Sequence, residues 1–573
     1  MAVTGGTVDM KTAVGFPFPQ GCTVEGQTAN FSVAVPEGQT CELIIYKKGA
    51  RASAFSQEMP YSDVAGNLHF LSVVLEQPED YEYCYKIGGK IVPDPYGKAF
   101  SGREHWSVSK GKEKRTLRTR IVTDTFDWGK SQFPHLKKED VIAYSLHVRG
   151  FTKHSSSGVA HKGTFDGVTE KLPYLQKLGI NQIHLMPVYE FDENQRHVNY
   201  WGYGKAYFFA PKASYAAGDP VNEMKSLVRQ MHLAGIEVIL EMPFTEGTTF
   251  SLILDCLRYW VMQYHVDGFI VNPYICNPDE LAKDPVLAKS KILKKEDGFQ
   301  NVMRRFLKGD EGMIRDVICQ LKNQDTQLYN YIESHNGFTL CDVVSYDGKH
   351  NEANGENNLD GPDYNYSWNC GAEGNSRKKA VNELRKNQIF NAFFLLLFAQ
   401  GMPCILSGDE FMNTQKGNNN AYCQDNLISW LDWNQLSRQE ELYTFVCRLI
   451  ALRKACMKQI AKKSEDTMGR SGIPQISYHG EDAWQMPAGR ASRQLGVFYH
   501  EESTEKDFYI AYNMHWLSHS FALPSLPKGM EWVCIAGTKE GVLDEKEAVP
   551  VKDKKVQLEE RTIKVFVGRQ AKE

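Results

Sequence analysis

Hydrophobic and polar positions change rhythm twice along the chain. Up to about residue 110 the apolar positions fall in short runs. Phe31-Ser-Val-Ala-Val35, Cys41-Glu-Leu-Ile-Ile-Tyr46 and Tyr81-Glu-Tyr-Cys-Tyr-Lys-Ile87 read as strands separated by Gly/Pro turns. Their spacing predicts a small β-sandwich over residues 1–110. A linker over 111–135 follows, with a basic stretch from Lys110 to Arg120 and a loop around Pro134. From 136 to 465 apolar strands alternate with amphipathic helices. Val141–Val148, Ile180–Val188, Gly235–Leu240, Val266–Val271, Tyr331–Ser334 and Pro403–Ser407 read as strands. Val168, Leu172, Leu175 and Leu178 mark one helix face; Val221, Met224, Leu227, Val228 and Met231 mark another; a long helix is expected over 381–400. Repeated βα units of this kind predict a (β/α)8 barrel or a doubly wound sheet. Between 475 and 573 the rhythm returns to strands, in Leu495–Tyr499, Phe508–Tyr512 and Ile563–Val567, predicting a second β-sandwich.

Polar residues collect just after the central strands, at Glu190, Glu241, Asn272, His335 and Asp409. A barrel places its active-site face there; capping of helices and turns is the competing reading for each one.

Composition narrows the function class. The formal net charge is −4 with both signs interspersed, which leaves no electrostatic footprint for nucleic acid or an anionic membrane. The Met-Ala-Val-Thr-Gly-Gly start has no basic or apolar segment and does not read as a signal peptide. The most apolar run, Ile389–Leu406, is broken by Asn391, Gln400, Gly401 and Pro403, so no membrane span is expected. Thirteen cysteines, an odd number without metal-ligand spacing, read as free thiols in a reducing cytoplasm. No cofactor or metal motif stands out.

Long segments carry a family resemblance: Leu146-His-Val-Arg-Gly-Phe-Thr-Lys-His154, Asn199-Tyr-Trp-Gly-Tyr203, His350-Asn-Glu-Ala-Asn-Gly-Glu-Asn-Asn358, Ser407-Gly-Asp-Glu-Phe411 and Lys416–Asn426. Across nearly its whole length the chain resembles the isoamylase and glycogen-debranching branch of glycoside hydrolase family 13, the α-amylase family. The resemblance implies an N-terminal carbohydrate-binding sandwich of module family 48, a central (β/α)8 TIM-type barrel and a C-terminal β domain. It also implies retaining hydrolysis of α-glucosidic bonds at α-1,6 branch points. That chemistry needs a nucleophilic aspartate, an acid/base glutamate and a third stabilising carboxylate.

The chain departs from the pattern at those positions. The nucleophile position of the Asp-Gly-Phe-Arg-Phe-Asp motif holds Asn272 and its arginine position holds Ile270. The third acid position, after His335, holds Asn336. The acid/base position falls on Lys295 or the adjacent Glu296. After the third strand the family's Asp-Val-Val-(Phe/Tyr)-Asn-His is replaced by Glu241-Met-Pro-Phe-Thr-Glu246, and the loop that follows is short. Replacing Arg and Asp together avoids a buried unpaired charge, which costs roughly 3–5 kcal/mol. The resemblance assigns sugar contacts to Tyr203, Trp201 and His335. These departures predict a catalytically silent member that binds or organises α-glucan, or partners an active isoamylase-type subunit. The alternatives are a hydrolase with relocated acids, drawn from Glu241, Glu246, Glu296 and Glu333, and a protein-binding scaffold.

Overall fold

The computed structural model describes residues 10–107, 117–461, 463–468, 472–487, 489–500, 506–546 and 548–571. The chain's start and most of the Lys110–Arg120 stretch lie outside them. The N-terminal strands form two facing sheets. One orders Thr12–Ala13, Leu68–Val74, Thr28–Ala34 and Gly21–Glu25. The other is built on Cys41–Lys47 and Tyr81–Ile87. Alternate residues, among them Phe31, Val33, Leu43, Ile45, Tyr83 and Tyr85, fill the space between, as a period of two requires.

The central strands are β1 (Ala143–Leu146), β2 (Gln182–Leu185), β3 (Glu237–Met242), β4 (Gly268–Val271), β5 (Lys291–Leu293), β6 (Tyr329–Asn330) and β7 (Met402–Leu406). They pair in parallel in the order β5-β4-β3-β2-β1-β7-β6. A parallel bridge between Lys294 and Leu328 joins the two ends, with the Lys294 N–H donating to the Gln327 carbonyl at 2.9 Å. The sheet therefore closes on itself, and the central domain is a barrel of the (β/α)8 type rather than an open sheet. Its helices include α1 (Pro220–Leu233), α2 (Phe250–Tyr264), α3 (Gly298–Lys308), α4 (Ile314–Leu321) and α5 (Lys379–Leu397).

Among the described residues the sheet has seven strands. A strand is absent between α3 and α4. Gly309 ends α3 in the left-handed conformation (φ 91°), and residues 309–313 lead into α4 without pairing to a neighbouring strand.

The barrel interior is packed by Val141, Ala143, Ile239, Ile270, Leu293, Tyr329, Tyr331, Met402 and Cys404. The C-terminal domain has a six-stranded antiparallel sheet, from Ile476–His479 to Gly541–Val542, and a two-stranded one. Asn391, which interrupts the apolar run of α5, ties that helix to this domain. Its Nδ2 donates to the Arg561 carbonyl (2.8 Å) and its Oδ1 accepts from the Thr538 hydroxyl (2.6 Å). None of the thirteen cysteines is in a disulfide, and among the described residues no helix is long and apolar enough to cross a membrane.

Candidate functional site

The Val266–Asn272 segment divides into a structural half and a chemical half. Asp267 accepts the Val238 N–H at 2.7 Å and lies 2.9 Å from Nε2 of His232, so it ties β4 to β3 and α1. Gly268 has no room for a side chain, since a Cβ there would stand 2.1 Å from the Lys291 carbonyl oxygen on β5. Both residues are kept by the demands of the barrel. Ile270 is in register with Glu241 on β3 and Leu293 on β5 and is buried among the interior side chains. Asn272 is exposed at the end of β4. Its Oδ1 accepts the Tyr274 N–H (3.0 Å), and its carbonyl accepts from Ile275 and Cys276. This is an Asx turn through Pro273. It leaves the Tyr274 ring 95% exposed beside the mouth of the barrel.

Geometry separates Lys295 from Glu296. Glu296 is exposed and pairs with Lys294 at 3.0 Å. Lys295 leans the other way: its Nζ donates to Oδ1 of Asn336 and lies 5.6 Å from the centre of the Tyr331 ring. The Ser334 hydroxyl donates to the same amide oxygen at 2.9 Å. Two of the positions where the family resemblance expects carboxyl groups therefore hold an ammonium donating to an amide.

Glu241 completes the floor. The Tyr203 hydroxyl donates to its Oε1 at 2.5 Å and lies 2.6 Å from Nε2 of His335. One proton arrangement satisfies both contacts: His335 donates to Tyr203, which donates to Glu241. Burial raises the Glu241 pKa, with Tyr203 and Lys295 opposing the shift. Burial lowers the Lys295 pKa against the pull of Glu241 and Asp297. Burial, Lys295 and His147 hold His335 well below its ordinary range, so it is neutral at pH 7.

A chain of contacts positions Tyr203. Asn199 donates through Nδ2 to the Tyr203 carbonyl (2.9 Å) and accepts the Gly202 N–H (3.0 Å). Gly202 turns at φ 84° with its Cβ position 2.5 Å from the Phe191 ring, which excludes any side chain. The Asn199 N–H in turn donates to the Glu193 carbonyl (3.1 Å). Trp201 is buried, with its ring perpendicular to that of His335 and the centroids 5.0 Å apart. Tyr203→Phe removes the donor to a desolvated carboxylate. It is expected to cost about 1–3 kcal/mol of stability in urea titrations and to raise the Glu241 pKa further, as read by NMR of the carboxyl carbon. An unchanged midpoint and an unchanged pKa would refute this coupling.

Three other acids lie elsewhere. Glu190 is buried in a clamp with Lys212, away from the mouth, where burial raises its pKa. Glu246 is exposed on the loop after β3. Glu333 stands two residues before His335, and in a regular strand it would share that residue's direction. Strand pairing stops at Asn330, so period-two geometry no longer governs residues 331–334, and Glu333 packs against Leu340, Phe393, Leu396 and Asp409 in the shell between barrel and α5. Asp297, which sequence reasoning missed, lies at the rim: it accepts from the Tyr331 hydroxyl at 2.5 Å and faces Lys295 electrostatically. Its place before Gly298, at the head of α3, was the available signal. The Asn-Pro pair before Tyr274 was the corresponding signal for the exposed tyrosine. Among the described residues no group of three or more His, Cys, Asp or Glu is arranged to hold a metal ion.

A closed parallel barrel between two β domains, with a polar mouth built from the ends of β3, β5 and β6, defines an α-amylase-type protein. The model of the α-amylase catalytic domain matches residues 137–246. The chain is 30% identical to the chloroplastic isoamylase 1 of Arabidopsis thaliana, over 90% of this chain and 84% of that protein. It is 32% identical to the glycogen operon protein GlgX homolog of Haemophilus influenzae, over 65% and 74% respectively. In fold it is similar to the catalytic module of the glycogen-degrading pneumococcal virulence factor SpuA (TM-score 0.76, 16% identity, 97% of each chain). It is likewise similar to the pullulanase of Bacillus acidopullulyticus (TM-score 0.75, 18% identity, 96% of this chain and 75% of that one). The chain belongs to the isoamylase and glycogen-debranching branch of the α-amylase family.

Proposed function

We propose that this protein binds α-glucan at the mouth of its barrel without hydrolysing it. The observation that carries this reading is the Lys295–Asn336 contact, with Asn272 folded into a turn beside it. Retaining hydrolysis needs an anionic nucleophile and a protonated acid on opposite sides of the glycosidic bond. An amide oxygen engaged with a backbone N–H cannot attack, and an ammonium donating to an amide is no substitute for a cycling carboxylic acid. Loss of one nucleophile alone costs on the order of 10⁶ in turnover. Hydroxyl-binding groups remain in the Tyr203–His335 pair, and Tyr274 offers a solvent-facing ring suited to a pyranose face. The named functions of the relatives, isoamylases and glycogen operon proteins, support α-glucan as the ligand.

The test pairs binding with hydrolysis. Native electrophoresis through gels containing glycogen or amylopectin is expected to retard the protein. Pullulan and limit dextrin are expected to release no reducing sugar above the blank. Unretarded migration on both glucans would defeat the binding reading. Sugar release that disappears in Glu241→Gln or Asp297→Asn would establish instead a hydrolase with relocated acids, since these two carboxyls face Lys295.

A further inference from the structure

A groove of about 600 Å³ lies between the N-terminal sandwich and the short loop that follows β3. Such a volume falls within the range of small-molecule sites. Its walls are residues 205–208 and 245–249, together with Arg103 from the N-terminal side. Both wall segments continue directly from the barrel mouth. Lys205 is two residues beyond Tyr203, and Thr245 is four beyond Glu241, so at most about 7 Å and 14 Å of chain separate groove from mouth.

The lining chemistry suits a neutral polyol. Arg103 commits Nη1 to Asp192 at 2.6 Å, and its Nε and Nη2 make no hydrogen bond among the described residues. Lys205 and Glu246 are exposed and have no ion-pair or hydrogen-bond partner among the described residues. Thr248 and Thr249 add hydroxyls, and Tyr207, half-buried with its ring 4.4 Å from that of Phe100, adds an aromatic wall. Arg103 and Lys205 face Asp192, Glu246 and the buried Glu190, which Lys212 neutralises, so no sign dominates and the groove has no net field for an anion or an acidic peptide. Sugar hydroxyls can both donate and accept, and so can use free donors and acceptors side by side, while a pyranose face packs on an aromatic ring.

We propose that this groove is a second subsite, which takes the part of a linear α-glucan that extends beyond the barrel mouth. The proposal rests on glucan binding by this protein, and the test separates the two claims. The full chain is titrated calorimetrically with maltotriose and with maltoheptaose. Three variants are compared: Thr248→Trp, which fills the groove; Asn336→Trp, which fills the mouth; and Lys205→Ala/Glu246→Ala, which removes two exposed, unpartnered side chains and leaves folding intact. The two groove variants are expected to weaken maltoheptaose by about fivefold or more, the equivalent of one or two lost hydrogen bonds, and to leave maltotriose unchanged. Asn336→Trp is expected to abolish maltotriose binding. Maltoheptaose affinity unchanged in both groove variants overturns the groove while leaving the mouth reading intact. Maltoheptaose binding lost in the groove variants but untouched by Asn336→Trp supports the groove and overturns the mouth reading. No binding of either sugar by the wild-type protein overturns both.

Discussion

Lys212→Met is expected to destabilise the protein by about 3–5 kcal/mol, because it leaves buried Glu190 without a counter-charge and buried Glu193 with only the Arg103 guanidinium, 3.9 Å away. The Lys212 Nζ lies 2.8 Å from Glu190, 2.8 Å from Glu193 and 2.9 Å from the Phe191 carbonyl, and the lysine and both glutamates are almost wholly buried. Methionine fills similar space, so packing is largely conserved and the loss is electrostatic. The clamp also reaches the proposed glucan site. Glu193 holds Asn199 through its carbonyl, and Asn199 shapes the turn that delivers Tyr203 to Glu241 and His335. Glucan binding is therefore expected to weaken even where the variant is still folded. Urea unfolding followed by fluorescence and by circular dichroism measures the first effect, and gel retardation the second. Adding Glu190→Gln and Glu193→Gln to Lys212→Met removes the orphaned charges and is expected to recover a large part of the loss. A cost below about 1 kcal/mol for the single variant would show the clamp to be dispensable.

The second large effect concerns the carboxyl groups behind the barrel. Glu333 and Asp409 are buried together with Arg304; Glu333 Oε1 and Asp409 Oδ2 have no hydrogen-bond partner among the described residues. Arg304 spends its donors on the carbonyls of Ile332, Asn365 and Phe338. Neighbouring Glu410 is held separately by the hydroxyls of Tyr144 and Tyr174. Burial raises the pKa of both Glu333 and Asp409, and the charges of Glu333 and then Glu410 raise Asp409 further. One guanidinium beside two carboxyls is balanced when they share a single proton. The folded state then binds more protons than the unfolded one. The associated stability is fully present in acid, below the ordinary carboxylate range, and is lost as pH rises through the elevated folded pKa.

Glu333→Gln leaves Asp409 as the one buried carboxylate opposite Arg304, with exposed Asp297 also acting on it. It is expected to flatten the decline of stability with pH and to stabilise the protein at pH 8 by on the order of 1–3 kcal/mol. Glu333→Gln/Asp409→Asn leaves the buried guanidinium with only the exposed Asp297 to oppose it, and is expected to cost about 3–5 kcal/mol. Denaturation midpoints from pH 5 to pH 8.5 measure both. A single variant as pH-dependent as the wild type, or a double variant as stable as the single, would be inconsistent with a shared proton.

Much of this architecture is legible in local patterns. The N-terminal strand Tyr81–Ile87 coincides with its apolar run, and α5 spans Lys379–Leu397 where 381–400 was expected. The resemblance and the interrupted motifs locate the degenerate positions from residue identity alone. Errors concentrate where the chain leaves regular structure. The run Val141–Val148 reads as one strand, but pairing stops at Leu146 and His147 caps a helix by accepting the Gly150 N–H. Tyr331–Ser334 reads as a strand, but pairing covers Tyr329–Asn330.

The amino-acid sequence by itself determined the order of elements, the family and the absence of carboxyl groups at Asn272, Lys295 and Asn336, because periodicity and residue chemistry are local properties. Only the tertiary structure decided that Lys295 rather than Glu296 enters the mouth, that Glu190 and Glu333 are buried away from it, and that Asp297 and Tyr274 lie at its rim. Those outcomes depend on strand termination, turn geometry and charge pairing between residues far apart in the chain, and a local pattern carries no information about which distant partner a side chain will meet.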